Sequence, residues 1–187
     1  MDEEQLREVT IGDLTPYATK VVIEDYNPAW PDWFAWDRDR IAAALGPVAL
    51  SIEHAGSTSV PGLPAKPIID ILVQVPDSAD EPAYVPPLEA AGYTLRIREP
   101  EWLEHRLVRR RGAPHDVNVH VFSRQHAAEE ITRMLAFRDW LRDNEADRNR
   151  YAAAKRELST RDWRYVQDYA DAKSEVVQEI LARALRP

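Results

Sequence analysis

Asp70 interrupts an otherwise apolar run, with Ile68, Ile69, Ile71, Leu72 and Val73 around it. A carboxylate buried without partners is costly, so this one requires a metal, a cation or hydrogen-bond donors. Lys66 precedes it, and further upstream stands Gly56-Ser57-Thr58-Ser59. Glycine lets the backbone turn and approach a ligand closely, the hydroxyls donate, and successive backbone amides can form an anion nest. Taken alone, such a Ser/Thr-rich run is an ordinary turn. Loop, lysine and strand carboxylate together describe a metal–nucleotide site. The other reading of Asp70 is a side chain that caps the amides of its own loop.

A second polar ladder lies in His115–Phe122, where Val117, Val119 and Val121 share one face and Asp116, Asn118 and His120 share the other. Asp116 is the candidate for a further carboxylate, and His120 for a metal ligand, a phosphate contact or a proton carrier. The same alternation would also arise on the solvent side of an antiparallel sheet. His54, just ahead of Gly56, suits either orienting a ligand or a structural hydrogen bond, and Arg106 is equally two-sided. His105, His115 and His126 read as surface residues, and no His-x-x-x-His or similar pair marks a zinc site.

Tyr151–Lys155 and Tyr169–Lys173 each have the i, i+4 spacing that puts both partners on one helix face. Lysines there would neutralise a phosphate tail while the tyrosines stack or donate. Amphipathic helices with lysines snorkelling over aromatic packing would give the same spacing. Arg138, Asp139 and Arg142 read as partners across one helix surface. Trp30, Trp33 and Trp36 could stack on a base but read first as anchors of a helix on the sheet. Arg109-Arg110-Arg111 falls at an expected hairpin tip and reads as a solvated turn, with a phosphate or partner contact as its other use.

The elements that must position these residues follow from periodicity and breakers. Residues 1–20 read as a loosely attached arm, followed by a strand over Val21–Tyr26 and a helix from Asp32 to Leu45, stopped by Gly46-Pro47. Strands are expected over Val48–Ile52, Pro67–Val75, Tyr93–Ile97, Leu103–Arg109 and His115–Phe122, with a short helix at Pro87–Ala91. Helices follow from Gln125 to about Asp143, then over 145–158 and 162–184. The expected fold is α+β, a mixed, largely antiparallel sheet with flanking helices and a C-terminal helical bundle. It divides into an arm (1–20), an α/β core (21–124) and a helical subdomain (125–187).

The 187 residues, 44% apolar and 30% charged, suit one domain with an ordinary core. Net charge is −8, from 24 basic and 32 acidic residues, which argues against extended nucleic-acid binding but leaves room for a small anion in a local basic pocket. With no cysteine there is no disulfide framework or thiolate chemistry. The acidic start and the absence of a long apolar run lead to an expectation of a cytoplasmic protein without membrane attachment.

The stretch His54-Ala-Gly-Ser-Thr-Ser-Val-Pro-Gly-Leu-Pro-Ala-Lys-Pro-Ile-Ile-Asp70-Ile resembles the hallmark of the GrpB family. Asn118–Phe122, Phe137–Leu141, Tyr151–Lys155 and Tyr169–Lys173 are similar to further family segments, so the resemblance spans roughly residues 20–183. The family looks like a branch of the polymerase-β-like nucleotidyltransferase superfamily, occurring alone or fused to dephospho-coenzyme A kinase. The resemblance implies a nucleoside triphosphate held with Mg²⁺: Gly56, Ser57, Thr58, Ser59 and Lys66 at the phosphates, Asp70 and Asp116 at the metal, His120 beside them, and Tyr151, Lys155, Tyr169 and Lys173 on the phosphate tail. The second superfamily carboxylate falls at Leu72, which cannot bind metal. Two expectations therefore stand: transfer of a nucleoside monophosphate to an acceptor, or a catalytically reduced module that binds a nucleotide or a coenzyme A-related ligand.

Overall fold

In the computed structural model, which describes residues 3–13 and 21–186, the chain opens with helix α1 (Glu3–Val9). Leu6 is buried and Thr10 bridges Ile97, so part of the arm expected to be loose is ordered against the sheet; residues 14–20 of that arm lie outside the described residues. Val21–Tyr26 does not join the sheet. Its extended backbone pairs only at Glu24, whose N–H and C=O both bond Ala65 at 2.9 Å, because the loop before the central strand offers it free backbone groups.

Helix α2 (Trp30–Leu45) places Pro31 in its first turn, where no intrahelical N–H is needed. Gly46-Pro47 ends it and continues as a single 3-10 turn, which delays β1 to Ser51–Ala55, three residues later than the sequence suggests. β2 (Ile68–Val75) is the apolar run around Asp70. After α3 (Val85–Ala90) come β3 (Thr94–Glu99), β4 (His105–Arg110) and β5 (Asp116–Ser123). β4 begins at His105 because Leu103 and Glu104 take positive φ, 56° and 53°, to make the turn from β3. The C-terminal helices are α4 (Ala128–Asp143), α5 (Glu145–Ser159), α6 (Val166–Ala172) and α7 (Ser174–Ala184). The single helix expected over 162–184 is thus divided at Lys173, where no glycine or proline signals a break.

The five strands form one sheet in the order β1-β2-β5-β4-β3, antiparallel except for the central β2–β5 pair. The expected mixed, largely antiparallel α+β architecture is what the chain adopts. One face carries the main core: Ile69, Ile71, Val73, Val108, Val117, Val119 and Val121 pack beneath α2 and α3. Trp30, wholly buried, and Trp33, stacked on His115 at 4.9 Å, serve as anchors on this side, whereas Trp36 is exposed. The opposite face is divided. Leu72, Phe122 and Ala55 are sealed by Ala127 and Ile131 at the start of α4, whereas the row through Asp70 is left polar. Val60 and Leu63 of the loop after β1 pack into Leu141, Tyr151 and Ile180, so the helical layer holds that loop against β2. Among the described residues no helix is long and apolar enough to cross a membrane.

Candidate functional site

Gly56 is the hinge on which the site depends. It leaves β1 with φ +64°, in the left-handed region that glycine tolerates, and a Cβ there would lie 2.9 Å from Asp70 Cβ and 3.0 Å from its Cγ. The loop can therefore pass directly over the carboxylate only with glycine at this position. Ser57–Ser59 then form a 3-10 turn. The Ser59 hydroxyl donates to Gly56 O at 2.6 Å, and the Ser59 carbonyl accepts two bonds from Arg142, at 3.1 and 2.9 Å. Thr58 Oγ1 lies 3.0 Å from His54 Nε2 and 3.4 Å from Ile68 O. Thr58 and Ser59 thus shape the loop, and Ser57 presents its side chain to the pocket.

His54 resolves to the structural side of its two readings. Its ring stacks on Phe34 at 4.6 Å, and burial lowers its pKa to about 4, against which Asp70 pulls only partially. It is a neutral post that supports Thr58. Arg138 and Arg142, expected to pair with Asp139, do so at 2.8 and 3.2 Å, and also reach back to the loop at His54 O and Ser59 O.

The parallel register sets Asn118, not Asp116, beside Asp70. Asn118 Nδ2 donates to Asp70 Oδ1 at 2.9 Å, and His120 Nε2 lies 3.8 Å from the same oxygen. Burial would raise the Asp70 pKa, but His120, Asn118 and Lys173 outweigh it and hold the carboxyl below its ordinary range. Behind His120 stands a chain that sequence reading missed. His120 Nδ1 meets His105 Nε2 at 3.1 Å, and His105 Nδ1 meets Glu99 Oε2 at 2.6 Å. His105 was expected at the surface, yet it is 3% exposed, and burial depresses its pKa to about 4. The period-two alternation His105–Leu107–Arg109 in β4 was the available signal, since it puts all three on the face shared with His120. His115, likewise expected outside, is buried on the opposite face against Asp37, 2.5 Å from its carboxylate.

Asp116 does not join the carboxylate centre. It accepts from Gly112 N at 2.9 Å and faces Arg111 Nε at 3.6 Å, so it fastens the β4–β5 turn. Arg106 points into the α2/α3 side of the sheet, opposite Val121, and is neutralised by Glu81 at 2.5 Å and Glu104 at 3.0 Å. Arg106 departs from its expected role because a one-residue step along a strand reverses the face, and Asp116 because the register sets it two residues along the strand from Asn118, on the same face but beyond the reach of Asp70.

Asp70, Asn118, Ser57, Thr58 and Lys66 meet Lys155, Tyr169 and Lys173 around one cavity of ≈160 Å³. Burial lowers the Lys66 pKa to about 8; Asp70 opposes the shift, and Lys173, Arg111 and Arg109 add to it. Lys155 is more deeply embedded. It bonds the Pro64 carbonyl, lies 4.7 Å over the Tyr151 ring, and is pushed down to about 6 by burial and Lys173. Tyr151 packs edge-on to Phe137 at 5.3 Å in the helical core and does not line the cavity. Lys173 sits 4.5 Å over the Tyr169 ring, and Tyr169 Oη is buried with no hydrogen-bond partner among the described residues.

Mg²⁺ takes near-octahedral oxygen ligands and commonly uses one or two carboxylates with phosphate oxygens and water. Asp70 meets that requirement for one ion. Two ions do not fit: among the described residues no group of three His, Cys, Asp or Glu side chains could hold a metal, and Leu72 is fully buried in an apolar cluster.

Fold and site define a small α+β domain with an electropositive pocket built around one carboxylate. The sequence profile described as GrpB protein matches residues 20–183, so the chain belongs to the GrpB family. The UPF0157 protein of Halalkalibacterium halodurans is 57% identical over 182 residues, covering 97% of this chain and 91% of that protein. The crystal structure of conserved protein GrpB from Enterococcus faecalis is similar with a TM-score of 0.78 and 32% identity, covering 88% of this chain and 97% of that one. A dephospho-CoA kinase of Mycobacterium tuberculosis is 47% identical over 72 residues, which is 36% of this chain and 17% of the kinase.

Proposed function

We propose that this protein binds the phosphate tail of a nucleotide or a related phosphorylated ligand in the cavity between β2 and α6. Ser57, Lys66 and Lys173 contact the phosphates, the Tyr169 hydroxyl supplies a further hydrogen bond, and Asp70 holds one Mg²⁺ together with ligand oxygens. The observation that carries this reading is the convergence of Lys66 and Lys173, from widely separated parts of the chain, on a pocket with one carboxylate and the Tyr169 hydroxyl, which has no hydrogen-bond partner among the described residues. Such a set of cations around a small cavity suits a multiply charged oxyanion. The bound ion would neutralise phosphate charge and orient the tail.

Transfer of a nucleoside monophosphate, with pyrophosphate leaving, is one use of such a pocket. The binding-module alternative is favoured by a specific observation: the second carboxylate position is Leu72, sealed beneath α4, and Asp116 is turned to the hairpin. The kinase relative makes coenzyme A-related phosphates part of the ligand class to be tried.

The test is thermal unfolding against nucleoside tri-, di- and monophosphates and dephospho-coenzyme A, each with and without Mg²⁺. Binding at a hundred times Kd stabilises by about 2.7 kcal/mol. A rise in Tm that Asp70→Asn reduces and Lys66→Met with Lys173→Met abolishes supports the reading. A panel that leaves Tm unchanged sinks it.

A further inference from the structure

The polar row that begins at Asp70 does not end at Asn118. Antiparallel register continues it to Arg109 on β4 and Thr94 on β3, all on the same sheet face. There it enters a second and larger groove of ≈750 Å³, bounded by Thr94 and Arg96, by Arg109 and Arg111, and by Tyr165 and Gln167 at the start of α6. Asp13 is the single carboxylate among the described residues that line it. A protein of net charge −8 thus concentrates guanidinium groups in one concavity.

Arg110 is paired with Asp37 at 3.1 Å and Arg111 with Asp116, but no carboxylate among the described residues forms an ion pair with Arg96 or Arg109. Arg96 donates to a backbone carbonyl, that of Asp13, at 3.3 Å. Arg111 donates to Asn118 Oδ1 at 2.8 Å and is shared with Asp116 at 3.6 Å. Arg109 Nε is buried and has no hydrogen-bond partner among the described residues. Burial chiefly, with the neighbouring Arg111 and Arg96 adding to it, lowers the Arg109 pKa to about 10. A half-buried guanidinium with an unused donor is matched by an oxyanion, whose charge and lone pairs answer the fork.

The groove also communicates with the first pocket. Arg111 donates to Asn118, and Asn118 donates to Asp70, so one amide spans the two. Helix α6 borders both, with Tyr165 and Gln167 ahead of it and at its start on one side and Tyr169, Ala170 and Lys173 on the other.

We propose that this arginine groove binds the phosphate group of a second small molecule, placed beside the ligand of the Asp70 pocket with Asn118 between them. Arg109 and Arg96 hold the phosphate, and Arg111 links its occupancy to Asn118.

Calorimetric titration with inorganic pyrophosphate in the presence of Mg²⁺ tests this on the full chain. The expected result is two equivalents bound. Arg96→Gln with Arg109→Gln weakens one by at least tenfold, and Lys66→Met with Lys173→Met removes the other. Arg96→Gln alone, at a partly exposed side chain, serves if the double arginine variant loses its fold by circular dichroism. An isotherm unchanged by the arginine variants overturns the proposal while leaving the Asp70 pocket intact. A single arginine-sensitive equivalent supports the groove and removes the case for the pocket. No binding to the unaltered chain overturns the groove outright.

Discussion

Gly56 and Asp70 show how narrowly one residue can define the site. With φ at +64° and a Cβ there falling on the Asp70 carboxylate, 2.9 Å from its Cβ, Gly56→Ala both strains the backbone and displaces the carboxylate. Stability should fall by about 1 kcal/mol or more in urea unfolding, and Mg²⁺-dependent nucleotide binding should weaken roughly tenfold, the loss of one charged hydrogen bond. Unchanged binding would show that the loop does not need to pass over Asp70. At this scale the sequence was informative for Gly56, Ser57, Lys66, Asp70, Lys155, Tyr169 and Lys173, which the structure brings to one place. For His105 alternation in β4 gave its face but not its role, and for Glu99 the sequence was uninformative, because a histidine's role depends on its neighbours, and those stand on other strands.

At the scale of elements, the register of β2 against β5 decides which carboxylate metal chemistry can use. The pairing aligns Asp70 with Asn118 and Leu72 with His120. Leu72 is fully buried in an apolar cluster with Phe122 and Ile131, and its cross-strand neighbour His120 already faces Asp70, so Leu72→Asp would bury a second carboxylate with insufficient counter-charge. The expected outcome is a loss of about 3 kcal/mol or more in chemical denaturation, with no gain of Mg²⁺ dependence. A folded variant with a new metal requirement would mean that the helical layer can open above β2. Alternation in β5 was legible in the sequence, and so was the hydrophobic–polar division of its faces. The neighbour of each residue was not, since register is set by packing across strands.

For the whole molecule, the helices packed on the two faces of the sheet, with the strands and loops they hold in place, account for an unusual collection of buried basic groups. His54 and His105 are lowered from 6.5 to about 4, so the unfolded chain takes up protons that the folded one refuses as pH drops through that interval. Lys66 and Lys155 are lowered from 10.5 to about 8 and about 6, which has the same sign over higher pH. Both sets make the unfolded state the greater proton binder, so stability rises with pH. The ligand-free protein should therefore show a Tm that climbs from pH 4 to mildly alkaline pH, with Lys155→Met flattening the rise above about pH 6. A maximum near pH 6 followed by a decline before pH 9 would contradict this account of the buried lysines.

The sequence by itself determined the period of each strand, the polar interruption at Asp70, the glycine that must precede it and the α+β succession of elements, because these are local consequences of side-chain shape and polarity. The order of strands, the pairing of Asp70 with Asn118, the withdrawal of Asp116 and Arg106, and the approach of Lys155 and Lys173 were decided by tertiary structure. Burial, charge proximity and register are properties of segments far apart in the chain, and none exists until the sheet and its helical cover come together.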